Sequence, residues 1–287
     1  GKLRNSGFEF DVNVKIIQKK DWYWDMSVNG YTYANKMLNL PDEYKETGMP
    51  NGNQRIYEGK DIYRWEMRQY AGVNEVGKSL WYMDQDIVDD AGNVVGVEKV
   101  TTTDATKATQ YLLEKSALAD FTGGLNTTLR WKSLDLTIMT NFQFGGYGYD
   151  YDYSMFASAN FPMNRLKSYT DAWNPETGKG SDPIWNTADA NINASSDRFL
   201  VSNTYFNLRN ITLGYTFPTT WMSKIGIKSA RIYFACDNVF FASKRKGYDP
   251  RTSMGGQGVS VDSSTINVQG TFYSPIRTTS VGLNINF

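Results

Sequence analysis

Seven stretches of this chain alternate polar and apolar side chains with a period of two, at approximately 7 to 18, 22 to 35, 121 to 131, 134 to 147, 198 to 217, 230 to 241 and 271 to 287. That period marks a strand whose two faces meet different surroundings. One face reads Phe8, Phe10, Val12, Val14 and Ile16 in the first strand, Trp22, Trp24, Met26 and Val28 in the second, and Leu134, Leu136, Ile138, Phe142 and Phe144 in the fourth. It ends on Val281, Leu283, Ile285 and Phe287 without an Asp, Glu, Lys or Arg anywhere in the set. The opposite face carries Glu9, Asp11, Lys15, Asp25, Arg130, Asp135, Arg231 and Asp237 among Asn, Thr, Ser and Gly. Helical periodicity is weak except over 104 to 119, where a short loop helix is expected.

Faces chosen by their apolar residues fit a lipid-facing barrel and a two-sheet sandwich with a dry core equally well. The connections separate the two. Links at 19 to 21, 132 to 133 and 218 to 229 are short, whereas those at 36 to 120, 148 to 197 and 242 to 270 are long. With strands running alternately up and down, all short links fall on one side and all long ones on the other, as in an outer-membrane barrel with long extracellular loops. Trp22, Trp24, Trp131, Tyr215, Phe217 and Phe287 gather where strands meet the short links and read as one aromatic girdle. The expected fold is therefore all-β, an antiparallel transmembrane β-barrel.

Composition narrows the chemistry. The 287 residues contain no His, which removes His-based acid–base catalysis, Ser-His-Asp triads and His-ligated metals, so no enzyme is expected. Lys plus Arg and Asp plus Glu stand at 30 each, leaving no electrostatic footprint for nucleic acid. The single Cys236 lies in an apolar strand and reads as inert packing. No run of about 20 apolar residues marks a transmembrane helix.

Ser280-Val281-Gly282-Leu283-Asn284-Ile285-Asn286-Phe287 resembles the terminal strand signal read by the barrel-assembly machinery, with Gly282, Ile285 and Phe287 as its register marks. The stretches Asp197-Arg198-Phe199-Leu200 and Tyr205-Phe206-Asn207-Leu208-Arg209-Asn210-Ile211-Thr212-Leu213-Gly214-Tyr215-Thr216-Phe217-Pro218 are similar to the late-barrel motif of SusC-like TonB-dependent receptors. Ala230 to Phe240 and Lys246-Gly247-Tyr248-Asp249-Pro250 follow in that family's order, and Leu3 to Glu9 and Ala119 to Asn126 resemble its strand lead-ins. The resemblance implies that residues 1–287 form the C-terminal seven or so strands of a plugged barrel of about 22 strands, with the plug and the first part of the barrel outside this sequence. It also implies outer-membrane residence, a SusD-like surface lipoprotein, TonB acting through the missing N-terminal part, and uptake of a glycan or peptide.

In that frame the aromatics of the second long link, Tyr147, Tyr149, Tyr151, Trp173 and Trp185, are candidate substrate contacts, because sugar rings stack on aromatic faces while hydroxyls take hydrogen bonds. In the first long link, Ile62-Tyr63-Arg64-Trp65 and Leu80-Trp81-Tyr82 suggest a hairpin that docks the lipoprotein through Tyr63, Trp65, Trp81 and Tyr82. A link of that length usually has a task. No cofactor is expected; the Asp-rich stretches 84 to 90 and 149 to 152 offer oxygens for a loop Ca²⁺ but lack the spacing of a calcium loop. The competing reading is a soluble β-rich glycan-binding module, for which the same aromatics serve.

Overall fold

The computed structural model describes residues 1–156, 172–184, 189, 191–192, 194–245, 247–251 and 275–287. Strands β1 (Lys2–Gln18) and β2 (Trp22–Asn39) come first. The first long link holds β3 (Met49–Asn51), β4 (Gln54–Ile56), β5 (Arg64–Arg68), β6 (Tyr70–Val73), β7 (Ser79–Val88), β8 (Val94–Thr102) and β9 (Gln110–Ser116). Strands β10 (Phe121–Trp131) and β11 (Leu134–Phe144) precede a second long link with β12 (Tyr147–Tyr149) and β13 (Leu200–Ser202). The chain finishes on β14 (Tyr205–Thr216), β15 (Ser229–Ser243) and β16 (Thr278–Asn286).

The alternating segments build one seven-stranded sheet in the order β1-β2-β10-β11-β14-β15-β16, antiparallel at every pairing from β2 onward. Two compact units result: a link unit of Gly1–Arg4, Asn35–Ala117 and Tyr147–Val201, and a sheet unit of Asn5–Ala34, Leu118–Gly146 and Ser202–Phe287.

In the sheet unit the register aligns the dry face into rows. Trp22, Trp131, Leu134, Tyr215, Ile232 and Leu283 form the row at the short-link end, with the Trp22 and Trp131 rings 5.7 Å apart. The next row is Trp24, Leu129, Leu136, Leu213, Phe234 and Val281. Trp24 also satisfies its polar edge inside the sheet, its Nε1 donating to Thr127 Oγ1 at 2.9 Å. At the long-link end Phe10, Phe121, Phe142 and Phe144 form a second aromatic belt, with ring centroids 6.3 Å apart for Phe10 and Phe121 and 5.6 Å for Phe142 and Phe144. Gly30 and Gly123 make room for it: a Cβ on Gly30 would stand 2.4 Å from the Phe121 ring. From Leu134 to Phe142 is eight residues along β11 (142 − 134). At about 3.4 Å per residue and a tilt of about 40°, that gives roughly 21 Å between belts, close to the apolar band of an outer-membrane barrel at about 25 Å.

Among the described residues nothing packs on that face. Leu213 and Phe234, with strands on both sides, remain 48% and 46% exposed, whereas a sandwich would bury such positions almost completely. Hydrocarbon is the medium that suits a row of exposed Leu, Phe and Val without a charge. The wet face is built otherwise. Arg231 reaches from β15 across Gly214 to Asp135 on β11, its Nε donating to Oδ1 at 3.0 Å. A Cβ on Gly214 would lie 2.2 Å from Arg231 Nη2, so only Gly lets the guanidinium pass.

Two sequence expectations are corrected within these elements. The 198 to 217 segment is not one strand: it divides into β13 and β14, and β14 carries a bulge at Arg209 that shifts the register between Leu208 and Asn210. The extra residue returns Phe206 and Leu208 to the same face as Ile211. Secondly, no helix occupies 104 to 119. The Asp104 carboxylate accepts from the Thr106 N–H at 2.9 Å and its hydroxyl at 2.6 Å, a turn that competes with helix, and β9 then pairs with β5 and buries Leu113. The beginning of the expected 271 to 287 strand, residues 271 to 274, lies outside the described residues, and β16 begins at Thr278.

The link unit has its own interior. Trp65, Met67, Leu113, Tyr149, Phe199 and Leu200 form one core; Met37, Leu40 and Ile56 a second; Trp81, Ala105 and Ala108 a third. The expected hairpin of 62 to 65 with 80 to 82 does not form. Arg64–Arg68 belongs to the sheet β3-β4-β5-β9, and Ser79–Val88 to the separate sheet β6-β7-β8.

Substitutions on the two faces and in the link core should separate these roles. Leu136→Arg or Leu213→Arg sets a charge in the middle of the dry face, costing about 2 to 4 kcal/mol each where that face meets hydrocarbon, and should remove the heat-modifiable folded band of a barrel carrying this sheet from membrane fractions. Asp135→Asn on the wet face should leave that band in place. Trp65→Ala, emptying a site that is 1% exposed, should cost about 3 to 5 kcal/mol and open residues 36 to 117 to limited proteolysis, whereas half-buried Tyr82→Ala should leave the digestion pattern unchanged.

Candidate functional site

The residues singled out in the long links fall into two groups once folded. Trp65 is 1% exposed and its Nε1 donates to the Tyr147 carbonyl at 3.0 Å; Trp81 is 2% exposed and Tyr149 4%. The expectation that these three are displayed to solvent is corrected: they are interior, because each link must build a core of its own around the bulkiest rings it has. The Tyr149 ring meets Tyr151 in a tilted contact at 4.6 Å and Phe199 edge-on at 5.7 Å, and burial raises its hydroxyl pKa above the ordinary tyrosine value. Tyr147 and Tyr151 pack on the edge of the same core and stay half-buried, as do Tyr63, Tyr82 and Trp173. The Trp173 ring covers Gly77, whose φ of 76° and lack of a side chain both suit the close approach. Trp185 lies outside the described residues.

The Asp197-Arg198-Phe199 stretch is the clasp of the link unit. Asp197 Oδ1 accepts the Tyr70 N–H at 2.8 Å, Arg198 Nη2 donates to Asp182 at 2.6 Å, and Phe199 is 1% exposed in the largest core. Arg198 lies 5.2 Å from the centroid of the Tyr70 ring, and burial pushes the Tyr70 hydroxyl up to about 12. An ion pair this enclosed specifies one arrangement, since losing either partner strands the other charge.

The acidic stretches are engaged locally. Asp89 accepts N–H donors from Asn93 and Ala91 in the turn between β7 and β8, which holds its carboxyl below the usual range. Asp84 accepts the Tyr111 hydroxyl at 2.6 Å, and Asp150 accepts the Tyr153 N–H at 2.9 Å. Among the described residues no group of three or more His, Cys, Asp or Glu converges.

Two features escaped the sequence reading. The β7–β8 hairpin carries Ile87, Val88, Val94, Val95 and Val97 at its tip, each between 46% and 63% exposed. Its signal was readable: Asp89-Asp90-Ala91-Gly92-Asn93 between β-branched residues is a turn with strands on both sides. In the sheet unit, the wet face near the long-link end holds an amide and hydroxyl array. Asn207 Nδ2 donates to Asn141 Oδ1 at 2.7 Å, Asn141 Nδ2 to the Tyr205 hydroxyl at 3.1 Å, and the Tyr248 hydroxyl to Asn203 Oδ1 at 2.8 Å. Uncharged donors and acceptors of this kind can exchange hydrogen bonds with water or with a polar solute without holding it tightly.

The terminal segment also acquires a local reason. Gly282 sits on the wet face beneath the Tyr233 ring, where a Cβ would stand 2.2 Å from Tyr233 Cζ. An aromatic ring lying over a strand glycine protects backbone that would otherwise be bare. Ile285 pairs with Ala230, and Phe287 is 79% exposed.

No protein-family model matches the chain. Among curated proteins it is 24% identical over 297 residues to TonB-dependent receptor P3 of Formosa agariphila, covering 100% of this chain and 29% of that protein. It is 26% identical over 262 residues to TonB-dependent receptor SusC of Bacteroides thetaiotaomicron, covering 89% of this chain and 25% of SusC. Among solved structures the RagAB peptide transporter matches with a TM-score of 0.70 at 26% identity, over 87% of this chain and 27% of that one. The RagAB peptide importer in its closed-closed state gives 0.75 at 24% identity, over 99% and 30%. The chain therefore spans between a quarter and a third of each of these relatives. A seven-stranded sheet with an uncharged dry face, two aromatic belts and a polar opposite face, matched along nearly its whole length by such receptors, makes this chain similar to part of the barrel of SusC-like TonB-dependent receptors.

Proposed function

We propose that this arc of barrel belongs to an importer that carries an oligomeric nutrient, glycan or peptide, across the bacterial outer membrane with energy delivered through TonB. The observation that carries the reading is the sheet itself: dry and uncharged outside, polar inside, and open at the outer edges of β1 and β16. A sheet that crosses hydrocarbon must close, since each unpaired backbone N–H or C=O there costs several kcal/mol. The partners at those edges are further strands of the same barrel, and the plug that TonB moves fills the lumen they enclose. The amide and tyrosine array on the wet face lines the solute side, and half-buried Tyr147, Tyr151 and Trp173 are better placed than enclosed Tyr149 to offer a ring face to cargo.

The external partner is a SusD-like lipoprotein, in keeping with the SusC and RagAB relatives. Its contact shifts from Trp65 and Trp81, which are interior, to the β7–β8 tip, where five β-branched side chains stand in water. Half-buried Tyr63 and Tyr82 stay available as further contacts.

Growth of a strain lacking the full receptor on panels of oligosaccharides and peptides tests the cargo. Loss on one class, restored by the receptor but not in a TonB-deficient background, is expected; growth unaffected on every member overturns the importer reading. Replacing 86 to 97 by a two-residue Asn-Gly turn should lower co-purification of the lipoprotein at least about tenfold with the folded band retained. Undiminished co-purification would remove this hairpin from the interface.

A further inference from the structure

At the long-link end of the dry face, the belt has a gap. Phe142 and Phe144 of β11 and Phe206 of β14 wall one side of an apolar groove, and Ala242 of β15, directly opposite Phe206 in the register, leaves the other side open. Every other outward position in this row that holds a side chain of size holds Phe, so the groove exists because position 242 is Ala. Thr204 and Lys244 close its outer end. Lys244 follows Ala242 by two residues and so lies one step beyond the Phe142–Phe206 row, at the level where the aromatic belt marks the headgroup boundary. It is exposed, and among the described residues no carboxylate pairs with it.

We propose that this groove is a lipid site, taking one acyl chain of a lipid with a net negative phosphate headgroup along Phe142, Phe144 and Phe206 while the Lys244 ammonium meets the phosphate. The inference rests on the lipid-side assignment of the dry face and is independent of the cargo. Three features fix the occupant. The walls are almost wholly hydrocarbon, which suits an acyl chain and disfavours a sugar or a peptide backbone. The groove continues the membrane-facing surface, so a chain enters it from the bilayer without crossing water. The single charge stands at its outer end, as a lipid with its head at the boundary requires, and a lysine stem can lie on the apolar wall while its ammonium reaches the phosphate.

The test uses the intact receptor that contains this chain, delipidated in detergent and offered phosphatidic acid or phosphatidylcholine with the same acyl chains, with retained lipid counted by native mass spectrometry. One phosphatidic acid should be held in preference to phosphatidylcholine, and Lys244→Gln should weaken that retention about fivefold, while Lys244→Arg keeps it. Ala242→Phe, which fills the groove with a residue the belt already uses and adds no charge, should abolish retention with the folded band unchanged. Equal retention of the two lipids, retention undiminished in Lys244→Gln and Ala242→Phe, or full displacement by excess inorganic phosphate would each overturn the proposal. Failure of the growth panel alone would leave it standing, since the lipid count does not depend on transport.

Discussion

A backbone N–H or C=O in hydrocarbon finds no water to bond, and that single penalty organises the sheet unit. It forces strands to pair along their whole length, which is why β10 and β11 match residue for residue from Phe121–Phe144 down to Trp131–Leu134. It equally dictates what the side chains may be. On the lipid side only apolar or internally satisfied groups persist, and Trp24 with its N–H on Thr127 shows how a polar atom is accommodated there. On the other side water returns, and with it the Asp135–Arg231 pair and the Asn141–Asn207 bond.

The wet face shows the same logic at finer grain. Asp135 and Arg231 are linked there across strands, and such a reach needs a strand with nothing in the way. Gly214 under Arg231 and Gly282 under Tyr233 are two places where a Cβ would stand 2.2 Å from a side chain that crosses it. Glycine weakens a strand by its entropy, so its presence at these positions reflects the cross-strand reach that only a bare backbone permits. The Gly282 of the terminal segment is thus tied to a Tyr on the neighbouring strand as well as to the pattern of the last strand.

The strands of the large sheet were legible because an interface between oil and water writes itself into every second residue. Leu134 to Phe144 and Phe121 to Trp131 needed nothing else. The bulge at Arg209 was not legible: one inserted residue swaps the parity of Phe206 and Leu208 relative to Ile211, and alternation alone assigns them to the wrong face or to none. The second aromatic belt was hidden for a related reason, since Phe8, Phe10, Phe121, Phe142 and Phe144 become one feature only when register aligns four strands. In the links, the aromatics were found but their surroundings were not. Whether Trp65 or Tyr149 faces a solute or a core depends on partners more than 80 residues away, as in the bond from Trp65 to Tyr147 (147 − 65 = 82), and no local pattern encodes that.

The depth of those link cores has a physical cause in the sheet. In a soluble domain, loops are stabilised by laying apolar residues on a core that the strands have already formed. A membrane barrel offers no such core, because its apolar side is solvated by lipid and its other side faces water. Links of this length can then be ordered only by burying residues of their own. That explains why Trp65, Trp81, Phe199, Leu40 and Ile192, each at 2% exposure or less, all lie in the link unit, and why among the described residues no large apolar side chain of the sheet unit is so enclosed. It also explains the enclosed Arg198–Asp182 pair: where several small cores must settle into one arrangement, a charge that tolerates a single partner sets the register that apolar contacts alone leave loose.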